Sequence, residues 1–65
     1  MKVLDIHGKE TWEEFVQRAK RDNYPRESFV RIARWLFPAA SPAMVHDGAI
    51  IIEKNWNPKG YLKRV

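Results

Sequence analysis

Over the first half of the chain, apolar residues recur with the period of a helix. Trp12, Phe15, Val16 and Ala19 fall at i, i+3, i+4 and i+7, and Glu13, Glu14, Gln17, Arg18, Lys20 and Arg21 occupy the remaining positions. Thr11-Trp12-Glu13-Glu14 has the form of a capping box, in which a Thr hydroxyl meets the third helical N–H and a Glu reaches back. Acidic groups lead and basic groups trail, as the helix dipole favours. The spacing predicts a helix over about 11–22. Asp22-Asn23-Tyr24-Pro25 stops it, because the residue before a proline is steered out of the helical region. Pro25 suits the first turn of a new helix. Phe29, Ile32, Ala33 and Leu36 resume the period and predict a second helix over about 25–36, which Pro38 ends. Two amphipathic helices so tightly joined form a helix-turn-helix pair, since each must bury its stripe against a shared core.

From Phe37 the pattern changes. Phe-Pro-Ala-Ala-Ser-Pro reads as a stiff link, and Ala43–His46 and Ala49–Glu53 flank Asp47-Gly48. Asp-Gly between apolar, β-branched runs signals a type I′ turn, which predicts a two-stranded hairpin over 43–53. An isolated hairpin is marginal in water, so it must pack on the helices or gain a third strand. The short, partly β-branched segment 2–6, followed by the His7-Gly8-Lys9 turn, is the candidate strand. The expected fold class is therefore α+β: a small winged helix-turn-helix, with two helices packed on a hairpin. Its expected bounds are 1–56, with a basic C-terminal tail over 57–65.

Length and composition agree with one small domain. The 65 residues contain no Cys and eight aromatics, and 45% of them are hydrophobic. A chain of this size buries roughly 60% of its unfolded surface. Without disulfides or thiolate metal sites, apolar packing has to supply the stability. The longest apolar run, Ala49–Ile52, is too short to span a bilayer, and the N-terminus lacks the apolar stretch of a signal peptide. These features lead us to expect a soluble, intracellular protein. The net charge is +4 and the sequence pI about 9.8. Residues 1–33 hold seven positive and six negative groups, whereas residues 34–65 hold five and two. After Glu53 every charged residue is positive: Lys54, Lys59, Lys63 and Arg64.

Taking the apolar stripe away from the second helix leaves Arg26, Glu27, Ser28, Val30, Arg31 and Arg34. Arg31 and Arg34 are neighbours on one face, with Glu27 four residues before Arg31. An arginine face on the second helix of a tight pair suits a recognition helix, whose guanidinium groups reach phosphates or the O6 and N7 atoms of guanine. A solvated surface with one weak Glu27–Arg31 pair would carry the same residues. The expected wing tip, His46-Asp47-Gly48, holds no Lys or Arg, and phosphates would repel Asp47.

The Thr-x-x-Glu opening of the first helix, Pro25-Arg26, Arg34-Trp35-Leu36-Phe37-Pro38 and His46-Asp47-Gly48 together resemble the phage excisionases. These are recombination directionality factors of the lambdoid type, small winged helices related to the MerR and AlpA-like groups. The resemblance covers about residues 11–56. It implies a non-catalytic, sequence-specific binder of double-stranded DNA that bends attachment-site DNA and directs a phage integrase toward excision. It also implies cooperative self-association on DNA and a cytoplasmic, nucleoid-associated location in a bacterial host. Arg34 matches a helix-two arginine facing the major groove, and Ser28 a serine at the helix start. Val30 stands where the family carries a base-contacting glutamate, with Glu27 one turn earlier. Lys54 is the nearest substitute for the basic wing residues. The tail, with Lys59, Tyr61, Lys63 and Arg64, corresponds to a region that contacts integrase.

Other chemistries find little support in the sequence. His7 and His46 lack the spacing of a metal site, Ser28 and Ser41 lack His and Asp partners, and the three Gly form no phosphate loop. No enzyme activity, cofactor, metal or membrane partner is expected. Trp12, Trp35 and Trp56 read as packing residues rather than as platforms for bases. The rival function is a protein-interaction module or a phage-encoded inhibitor of a host protein, since a fold alone does not decide its use.

Overall fold

The capping box predicted at Thr11 forms. Its hydroxyl accepts from the Glu14 backbone N–H (3.2 Å), and Glu14 Oε1 accepts from the Thr11 backbone N–H (2.9 Å). Helix α1 (Trp12–Arg21) follows and buries Trp12, Phe15, Val16 and Ala19, the stripe read from the spacing. Asn23 takes a left-handed conformation (φ 57°), which Asn tolerates better than most residues. Pro25 stands at the N-cap position, one residue before the first turn in which it was expected, and helix α2 (Arg26–Leu36) follows and buries Phe29 and Ala33. Both helices lie within about a residue of their expected bounds.

The computed structural model describes residues 3–57, and from Ser41 onward it overturns the expected hairpin. Residues 43–53 lie within a third helix, α3 (Pro42–Asn55). Ser41 is its N-cap, with Oγ accepting from the Met44 N–H (3.2 Å), and Pro42 occupies the first turn, where its missing N–H costs nothing. The Ser-Pro pair read as a link is a helix start. Asp47-Gly48 is not a turn, and Gly48 has no positive φ. Val45, Gly48, Ala49 and Ile52 form the buried stripe of α3 at i, i+3, i+4 and i+7, and Gly48 supplies one of its four positions.

At Gly48 the α3 backbone lies close to the core. A Cβ there would lie 2.8 Å from Phe29 Cζ and 3.0 Å from Trp12 Cζ2. Glycine inside a helix costs about 1 kcal/mol relative to alanine. Here it lets the α3 backbone rest on two aromatic rings. These rings belong to a cluster of Trp12, Phe15, Phe29 and Phe37. Phe15 and Phe29 stack at 5.0 Å, and Trp12 meets Phe37 edge-on at 5.3 Å. α3 packs against both α1 and α2, more extensively on α2.

The expected N-terminal strand does not form either. Among the described residues there is no strand, and the β pairing is a single antiparallel bridge between Leu4 and Thr11. Residues 3–11 instead make a closed loop. The Trp12 N–H donates to the Val3 carbonyl (2.9 Å) and the Asp5 N–H to Glu10 (2.9 Å), while Gly8 turns at φ 69°. The Asp5 carboxylate accepts from the His7 and Lys9 N–H groups, and this holds its pKa below the ordinary aspartate value, the Lys9 bond contributing most. The described residues thus form an all-helical, three-helix protein without a wing, rather than the expected α+β winged helix.

Candidate nucleic-acid interface

α2 positions the candidate residues by its register. With Phe29 and Ala33 turned to the core, Arg26, Glu27, Arg31 and Arg34 are exposed. Arg26, Glu27, Val30, Arg31 and Arg34 line one open depression along the helix. Arg26, Val30 and Arg34 continue into a groove of about 380 Å³ toward α3, where Val45, His46 and Ala49 form the far wall. Val30 is half-buried and packs against the core, so the groove floor is apolar and its rim is cationic. Ser28 is half-buried and lines neither surface.

The arginines differ in how far they are engaged. Arg26 Nη1 lies 3.8 Å from Glu53 Oε2, a long pair between exposed groups that contributes little. Arg31 and Arg34 make no ion pair and no side-chain hydrogen bond with any described residue. Two cationic forks therefore stand in water on adjacent turns of α2. Arg18 of α1 is tied down instead. Its Nε and Nη2 donate to Glu10 (2.9 and 3.0 Å), its Nη1 donates to the Tyr24 hydroxyl (2.8 Å), and the Glu10 bond raises its pKa.

Lys54 is not part of this surface. It lies in the last turn of α3 and shares a separate depression with Lys20, Ile51 and Asn55, so its expected place at the exit of a wing is corrected. Lys59, Tyr61, Lys63 and Arg64 lie outside the described residues. His46 and Asp47, expected at a wing tip, are exposed on α3. Among the described residues no three His, Asp or Glu side chains gather as a cation site needs.

The tryptophans are not all packing residues. Trp12 is buried, but Trp35 is 67% exposed and Trp56 40%. Trp35 is the residue that sequence reasoning misplaced. The stripe of Phe29, Ile32, Ala33 and Leu36 already filled the inner face, which left position 35 on the flank, four residues after Arg31. Leu4 and Ile6 of the N-terminal loop are also about half exposed. No described helix is long and apolar enough to cross a membrane. No family model, curated protein or solved structure matches this chain.

Proposed function

We propose that this chain binds double-stranded DNA through the exposed face of α2. The observation that carries this reading is the pair Arg31 and Arg34, exposed on one helix and engaged by no carboxylate among the described residues, with Arg26 one turn before Val30 on the same surface. Guanidinium groups so placed can grip phosphates or present a bidentate fork to a guanine edge. On α2 itself Arg26, Arg31 and Arg34 stand against a single acid, Glu27. Bending of attachment-site DNA and service to an integrase came from a resemblance that drew partly on a wing, and residues 43–53 form a helix.

A second reading, a module that binds another protein, draws on exposed Leu4, Ile6 and Trp35. Salt separates the two. Each phosphate contact contributes about −0.9 to the log–log slope of affinity against salt, and an apolar protein contact contributes almost none. Duplex affinity should fall steeply between low and physiological salt, and Arg31→Ala with Arg34→Ala should remove most of it. A parent protein with no measurable duplex affinity at low salt would overturn the DNA reading in favour of the protein module.

A further inference from the structure

Trp35 is the anomaly of α2. The four aromatic residues Trp12, Phe15, Phe29 and Phe37 are all buried, whereas Trp35 is 67% exposed. It lies four residues after Arg31, hence beside it on the helix surface, and directly follows Arg34. An apolar ring of this size kept in water beside Arg31, which pairs with no described carboxylate, is placed for a ligand with both negative charge and a flat π-face. Nucleic acid offers both, but fully paired B-form DNA does not offer them together. Its major groove exposes base edges, while the base faces are covered by their stacked neighbours. A nucleotide that has left the stack exposes its face beside its own phosphate.

We propose that Trp35 is a base-stacking residue, and that α2 prefers DNA carrying an unpaired nucleotide next to the backbone that Arg31 and Arg34 hold. The proposal rests on the reading of α2 as the DNA-binding face. The two contributions differ in kind: the arginine part falls with salt, and the stacking part, which needs no counterion release, does not. Sequence tolerance follows as well, because every base has a π-face.

The test uses the full chain with two labelled duplexes, one fully paired and one identical except for a single extra unpaired adenosine, followed by fluorescence anisotropy. The parent should bind the bulged duplex about tenfold more tightly, at both low and physiological salt. Trp35→Ala should bring the ratio close to one, and Trp35→Phe should retain most of it. Arg31→Ala with Arg34→Ala should weaken both complexes while keeping the ratio. A parent that binds both duplexes equally, or a Trp35→Ala variant that keeps the full preference, overturns the stacking role and leaves duplex binding by α2 standing. A parent that binds neither duplex overturns both.

Discussion

α1 and α2 are nearly equal in length, 10 and 11 residues, and both carry arginines opposite an apolar stripe, yet they use them in opposite ways. In α1 the Arg18 guanidinium is held by Glu10 on one side and by the Tyr24 hydroxyl on the other. It lies 5.3 Å from the Phe15 ring centroid and 5.9 Å from that of Tyr24. It thereby joins the N-terminal loop, α1 and the link to α2. In α2, Arg31 and Arg34 meet no such partners among the described residues. The difference arises from a carboxylate eight residues before Arg18 and a phenol six residues after it, contacts that appear only once the chain folds back. A positive charge in the sequence is therefore not yet a binding group. It is open to a ligand only where the fold leaves it without a carboxylate.

The contrast is sharpest in the α2 variants. Arg31→Ala with Arg34→Ala should weaken duplex binding about a hundredfold, since each guanidinium contact contributes about 1–3 kcal/mol. Stability should stay within about 0.5 kcal/mol, as for exposed positions generally. Anisotropy titrations and thermal melts on the same preparation would read both quantities. Arg18→Ala should do the reverse. We expect a loss of about 1–2 kcal/mol, reduced by the partial exposure of the pair, and a Tm lower by several degrees. The folded protein should bind DNA as the parent does. If Arg18→Ala weakens binding as much as the α2 pair, the division of roles fails. Gly48→Ala probes α3, the element on which both helices lean. Overpacking against Phe29 and Trp12 costs about 1–3 kcal/mol and exceeds the roughly 1 kcal/mol gained in helix propensity. A net loss near 1 kcal/mol in chemical denaturation is expected, and a stabilised variant would contradict the close approach. The smallest effect concerns acid. The folded-state pKa of Asp5 is depressed, so its contribution is present above the unfolded value near 3.9 and is lost as pH falls through the lower, folded value. The Tm difference between the parent and Asp5→Asn should therefore shrink as pH falls below about 4.

The first two helices were legible because each has a start signal and a complete stripe of large apolar residues. α3 was not, because two of its local signals point elsewhere. Asp47-Gly48 has the composition of a type I′ turn, and Ile50-Ile51-Ile52 is a β-branched run of which only Ile52 is fully buried. The helical stripe was present but contained a glycine, which carries no hydrophobic weight. Its role is visible only against the rings of Phe29 and Trp12, which lie far from it in sequence. The Ser41 cap and Pro42 were the competing clue. Of the candidate residues, Arg26, Glu27, Val30, Arg31 and Arg34 follow from helix register alone, and the structure brings them to one surface. Lys54 could not be placed correctly, since its assignment depended on the hairpin. Trp35 stood on the flank of the stripe, where periodicity does not decide between core and solvent.

The N-terminal loop reaches across to the far end of α2, where the Ile6 N–H donates to the Leu36 carbonyl (2.8 Å), and buried Phe37 closes the same turn through its N–H to Ala33 (2.8 Å). The last carbonyls of a helix ordinarily have no partner within it, and its final turn frays. Here that turn is clamped, and Arg34 and Trp35 are mounted on it. A ligand that meets them finds the backbone already in its bound arrangement and has only side chains left to order. The ordering entropy of association is correspondingly small, which favours slow dissociation even from so small a surface.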